Sequence, residues 1–115
     1  MLIQRSEMIQ ETRTHMREGK GSCTVTQLGG AQLQKHCRVL SEIVIPVGAS
    51  IGPHPHVAET EYYIILEGSA LVDDDGKPIN VKPGDVVITS GGATHSIEAT
   101  GDIPLRMIAV IVTDA

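Results

Sequence analysis

The chain has 115 residues and a formal net charge of −5, a length that suits one domain with its own core. Its Lys and Arg form no cluster, and its aromatics are two tyrosines with no Phe or Trp, which excludes a basic, base-stacking nucleic-acid surface. No apolar stretch approaches the ~18–20 residues that span a bilayer. The first residues, Met1 to Met8, lack a basic head followed by an apolar run, so the cytoplasm is the expected location.

Residues 1–20 are the least patterned part. Met8, Ile9, Thr12 and Met16 give a weak helical spacing after Ser6, but an N-terminal arm paired with the rest of the chain, or with a partner subunit, fits as well. Gly19-Lys20-Gly21 closes this arm, and the domain proper is expected over 21–115. From there the chain reads as short strands punctuated by Gly and Pro. The expected strands are 22–28, 37–46, 62–66, 69–73, 79–81, 86–89, 94–99 and 105–112. Asp75-Gly76 marks a tight hairpin, with Asp73 to Asp75 as its solvated tip. Eight or so short strands without a helix describe an antiparallel sandwich or barrel, best a jelly roll, filled by an aliphatic core. Strand 62–66 is apolar on both faces and should be covered on both. The closing strand 105–112 is too, so one face fills the barrel and the other calls for a cover, most economically a homodimer. Cys23 and Cys37 are not spaced as a zinc pair and read as buried thiols.

The chemistry concentrates between Gly48 and Gly68. His54 and His56 are two apart, so in an extended strand both imidazoles leave one face. Glu61 follows at an odd separation from His56, so the segment 57–60 must bulge or turn if the three are to converge. Two imidazoles and a carboxylate suit a borderline divalent metal, and His95, after another turn, is a candidate fourth donor. Pro55 between the two histidines stiffens the pair and implies an edge position or a bulge.

The run Gly48, five residues, His54, one, His56, four, Glu61, six, Gly68 resembles the first motif of the cupin superfamily at every position. Gly84, Gly92 and His95 resemble its second motif, with Ser90 where Pro is usual and Ala99 where Asn is usual. The flanking strands agree with a small single-domain cupin barrel of the oxalate-binding or oxalate-decarboxylase-like kind. The resemblance implies His54, His56, Glu61 and His95 as ligands of Mn or Fe foremost, with Ni, Zn, Co and Cu as alternatives. Glu59 sits too close to His56 for the motif and reads as a loop charge. His15 and His36 belong to no spacing pattern and read as solvent-exposed.

Four protein donors leave about two positions on an octahedral ion, and a divalent cation with one carboxylate keeps a net positive centre. That favours a small chelating anion: oxalate, a 2-oxo acid or an enolised diketone. Strand parity from Glu61 puts Tyr63 and Ile65 on the ligand face, which makes Tyr63 the candidate catalytic phenol. Arg38 or Arg106, if inward, would clamp a carboxylate. Three functions follow. The first is a metal-dependent dioxygenase, decarboxylase or lyase of small carboxylates. The second is a non-catalytic module that binds metal and anion. The third, a sugar isomerase or epimerase, suffers from the shortage of aromatic rings.

Overall fold

The computed structural model describes residues 1–115 and contains ten strands. They are β1 (Gln10–Thr14), β2 (Ser22–Gln27), β3 (Cys37–Ile45), β4 (Ser50–Pro55), β5 (Glu59–Glu67), β6 (Ala70–Asp74), β7 (Lys77–Val81), β8 (Val86–Thr89), β9 (Thr94–Ala99) and β10 (Leu105–Thr113). Every pairing is antiparallel. One sheet runs β1-β2-β3-β10-β5-β8 and the other β4-β9-β6-β7. Their facing sides enclose the core of a jelly roll. No helix is long and apolar enough to cross a membrane.

The alternation read from sequence is the alternation of burial. Along β10, Leu105, Met107, Ala109 and Ile111 point inward and are buried, and Arg106, Ile108 and Val110 point outward. With Ile43, Ile45, Ile51, Ile65, Val72 and Ile97 they form an aliphatic core whose only ring is the phenol of Tyr63. Each such Ile or Leu contributes about 1.5–3 kcal/mol through burial. The Asp75-Gly76 turn between β6 and β7 takes φ of 52° and 90°, the left-handed geometry that a two-residue hairpin turn requires.

Residues 1–20 hold no α-helix, so the weak helical spacing is overruled. Short 3-10 turns at Arg5–Glu7 and Met16–Glu18 flank β1, which pairs residue for residue with β2. Every β1 side chain is exposed. Pairing of backbone groups with β2, rather than an apolar stripe, therefore holds this strand. The outer face of β5 also departs from expectation. Tyr62 and Ile64 are half-buried and Leu66 is exposed, because nothing in this chain packs over that side of the larger sheet.

Candidate metal centre

β4 and β9 are neighbours in the smaller sheet, and His54 lies directly across from His95. The β4–β9 register shifts between Ile51 and His54, and β4 is an edge strand, which is where Pro55 can be accommodated without breaking an inner ladder. His54 and His56 both point inward, with Pro55 between them exposed. The chain then turns at Ala58, whose φ of 57° is left-handed, and enters β5 in the larger sheet. That turn resolves the parity conflict. It brings the inward face of β5, with Glu61, Tyr63 and Ile65 buried on it, opposite the histidines.

The turn before His95 is pinned to the same place. Gly91 and Gly92 adopt φ of 66° and 84°, the Gly92 N–H donates to the His56 carbonyl (2.9 Å), and the His56 N–H donates to the Ala93 carbonyl (3.1 Å). Ser90 serves this turn in place of a proline, its carbonyl accepting from the Ala93 N–H at 3.2 Å. Ala99, in place of a polar residue, is part of the apolar core.

His54, His56, Glu61 and His95 are all buried, and one donor atom from each lies within 4.8 Å of the other three. The Nε2 of His95 is 3.0 Å from both the His54 and His56 Nε2 atoms. Glu61 Oε1 is 2.9 Å from Nε2 of His56 and of His95, and 3.8 Å from that of His54. The two His–His approaches have hydrogen-bond geometry, with donor and acceptor set by the tautomers, whereas the Glu61 approaches do not, and Oε1 is left as a buried oxygen with no donor. The far side of each ring explains why. His54 Nδ1–H donates to the Gly52 carbonyl (2.8 Å), His56 Nδ1–H to the Glu59 carboxylate (2.6 Å), and His95 Nδ1 bonds the Thr89 hydroxyl (2.8 Å). The partners of His54 and His56 only accept, which puts a proton on each Nδ1 and a lone pair on each Nε2, and the Thr89 hydroxyl, able to accept as well as donate, allows the same tautomer for His95. With that tautomer three imidazole lone pairs and an orphaned carboxylate oxygen face one point, an arrangement that suits one metal ion.

Electrostatics agree. Burial raises the Glu61 carboxyl, but the surrounding His54, His95 and His56 rings outweigh it and hold the pKa down to about 2. Burial lowers the pKa of His95, and its histidine neighbours push the same way against the pull of Glu61. The result is an ionised carboxylate beside a neutral imidazole, the protonation states a metal needs.

Tyr63 is fully buried, and its ring stacks on His95 with centroids 4.8 Å apart and planes 10° from parallel. Burial and the Glu61 charge push its phenol pKa well above 10, while the Arg17 charge pulls the other way. It stays protonated and can donate a hydrogen bond.

Glu59 is not a free loop charge. It receives the His56 proton and is itself gripped by Arg38 through Nε (3.0 Å) and Nη2 (3.1 Å). Only the left-handed turn at Ala58 turns its carboxylate back to His56, and the His-x-x-Glu spacing was the one sequence signal for it. Arg38 is thus occupied rather than free to clamp a ligand. Arg106 is on the outer sheet face, bound to Glu67 (2.7 Å) and Glu42 (3.4 Å). His15 is exposed as expected, whereas His36 and Cys37 are half-buried; Cys23 is buried, and both thiols are free.

A cavity of about 310 Å³ opens onto the cluster. His54, His56, Glu61 and Tyr63 form its polar floor, and Val25, Ile43 and Ile111 are among its apolar walls.

The barrel and its motifs define a cupin. The cupin domain model matches residues 41–111, and the chain belongs to that family. Over 113 residues it is 37% identical to the oxalate-binding protein of Thermotoga maritima, covering 97% of this chain and 93% of that one. A crystal structure of a predicted oxalate decarboxylase from Thermotoga maritima superposes with a TM-score of 0.89 at 37% identity, over 98% of this chain and 99% of the other. A polyketide cyclase from Streptomyces resistomycificus shares the fold at a TM-score of 0.75 and 21% identity, over 100% of this chain and 80% of its own.

Proposed function

We propose that His54, His56, Glu61 and His95 hold one divalent first-row metal ion, Mn or Fe foremost, at which a small chelating carboxylate such as oxalate binds. The observation that carries this reading is the outward Nδ1–H bond of His54 and of His56, which leaves their two Nε2 lone pairs aimed, with His95 Nε2 and an unpartnered Glu61 oxygen, at one point. The likeness to an oxalate-binding protein supports the choice of anion. When bound, the metal supplies Lewis-acid attraction for carboxylate oxygens and, for Mn or Fe, electron exchange. The residues of the chain do the rest. The rings and Glu61 fix the coordination, the apolar walls exclude water, and the Tyr63 hydroxyl offers a proton to the bound anion.

Isothermal titration of oxalate into Mn(II)-loaded protein tests the reading. It predicts one site per chain, absent from metal-free protein. Equal binding with and without metal would contradict it.

A second reading makes the protein an enzyme, a dioxygenase, decarboxylase or lyase of such carboxylates. One observation favours it: Tyr63 is a protonated phenol on the floor of the cavity, stacked on a ligand ring and so positioned as proton donor. Oxygen uptake or carbon dioxide release on adding oxalate or a 2-oxo acid separates enzyme from binding module.

We also propose that the protein is a homodimer. Across the outer face of the larger sheet, Leu40, Val110, Tyr62 and Ile88 form one cross-strand row, and Ile108, Ile64 and Val86 the next. Val86 and Ile88 are more than half exposed. A second copy laid over this face would bury an apolar patch that a monomer leaves wet.

A further inference from the structure

Three arginines, Arg13, Arg17 and Arg38, line the cavity, against the single carboxylate of Glu61. On a chain whose net charge is −5, that is a local reversal of sign. Two of the three are neutralised nearby. Arg13 pairs with Glu11, and Arg38 with Glu59. Arg17 has no carboxylate partner.

Arg17 is also the one held in place by strain. His15, Arg17 and Glu18 have φ of 52°, 53° and 63°, all left-handed and none glycine. Such a run persists only where its surroundings over-determine it, and it clusters at ligand sites. The surroundings are explicit here. The His15 N–H donates to the Gly21 carbonyl (2.8 Å), the Gly19 N–H to Met16 (3.0 Å), and the Ser50 N–H to the Lys20 carbonyl (2.9 Å). The Arg17 carbonyl is pressed onto Gly52 so closely that a Cβ there would lie 2.0 Å from it. Gly52 in turn accepts the His54 Nδ1 proton. The turn that carries Arg17 is therefore seated on the strand that carries His54 and leads directly to His56.

The cavity is also larger than oxalate needs. About 310 Å³ corresponds to roughly ten waters at about 30 Å³ each. A chelating head group at the cluster leaves the apolar walls and the arginine side of the space to the remainder of a longer molecule.

Resting on the proposed metal and carboxylate site, we infer that Arg17 is a specificity residue that binds a second, distal carboxylate. The preferred ligand is then a dicarboxylate whose one end chelates as a 2-oxo acid and whose other end reaches the N-terminal turn. Oxalate, with both carboxylates at the metal, uses only half of this site.

Two probes of equal carbon count decide the matter: 2-oxoglutarate, and 2-oxopentanoate, which ends in a methyl group instead of a carboxylate. Both are titrated calorimetrically into Mn(II)-loaded protein, with oxalate alongside. A charge-assisted pair of this kind is worth about tenfold or more in affinity. The wild type is expected to bind 2-oxoglutarate at least about tenfold tighter than 2-oxopentanoate. Arg17→Ala should bring 2-oxoglutarate down to the level of 2-oxopentanoate. Arg17→Gly, which accepts the left-handed backbone at no cost, should do the same and guards against a misfolded turn. Arg13→Ala should keep most of the gap. A wild type without the gap, a gap that survives in both Arg17 variants, or equal weakening of all three anions would overturn the assignment. If oxalate itself fails to bind the loaded protein, the metal and carboxylate site falls, and the distal clamp with it. Oxalate binding without the gap would sink Arg17 alone.

Discussion

His56 and Glu59, three residues apart in the chain, meet at 2.6 Å between imidazole Nδ1 and carboxylate Oε2, and Arg38 grips that carboxylate from β3. The contact spans a left-handed turn and links three elements: the end of β4, the start of β5 and the start of β3. It sets the tautomer of His56, and so the direction of its Nε2 lone pair. The Arg38 hydrogen bond, opposed by burial and aided by His56, holds the Glu59 pKa below the usual carboxylate range. The carboxylate is therefore ionised at neutral pH, where it accepts the His56 Nδ1 proton.

Removing that outer partner should weaken the centre without unfolding the barrel. Glu59→Gln is expected to lower metal affinity about 10–100-fold, the usual effect of losing such support. Competition with a chromophoric chelator measures it. Arg38→Ala should lower affinity in the same direction and by less, because Glu59 keeps its bond to His56.

Gly52 has no room for a side chain. A Cβ would lie 2.0 Å from the Arg17 carbonyl, and backbone cannot yield as a flexible side chain would. Gly52→Ala is expected to destabilise by about 1–3 kcal/mol, read as a lower melting temperature. It should also weaken metal binding, since Gly52 accepts the His54 proton.

Tyr63→Phe separates ring from hydroxyl. The stack on His95 and the packing remain, so melting temperature and metal content should hold. Affinity for oxalate, or turnover if there is any, should fall, by about 0.5–1.5 kcal/mol for one lost hydrogen bond. An unchanged variant would assign Tyr63 to the core alone.

Acid stability should report Glu42. The Arg5 hydrogen bond, opposed by burial and aided by Arg106, lowers its pKa in the fold. The native state therefore binds this proton less readily than the unfolded chain. The stabilisation is present above the unfolded value near 4.5 and is lost as pH falls through the lower folded value. Glu42→Gln should cost about 1 kcal/mol at pH 7 and progressively less in acid, by denaturant melts at each pH.

Much of this fold was legible because inward and outward faces alternate along β5, β9 and β10, with apolar residues at most inward positions and Glu61 and His95 as the polar exceptions. The four cluster residues were legible because their spacing combines strand parity with glycine turns. β1 was not, since Gln10 to Thr14 carry no apolar alternation and are held by backbone pairing. Glu59 was hidden for a different reason. Its role depends on φ at Ala58, and alanine gives no sequence signal of a left-handed residue. The Arg17 turn was hidden likewise, because its left-handed residues are not glycines and the glycine it rests on lies in another strand.

The proposed metal centre at these four side chains stands or falls on elemental analysis of tag-free protein. The expected result is about one first-row transition ion per chain, Mn or Fe foremost, lost in a His54→Ala, His56→Ala double variant that still folds. No metal in the wild type, even after reconstitution with each candidate ion, would contradict it.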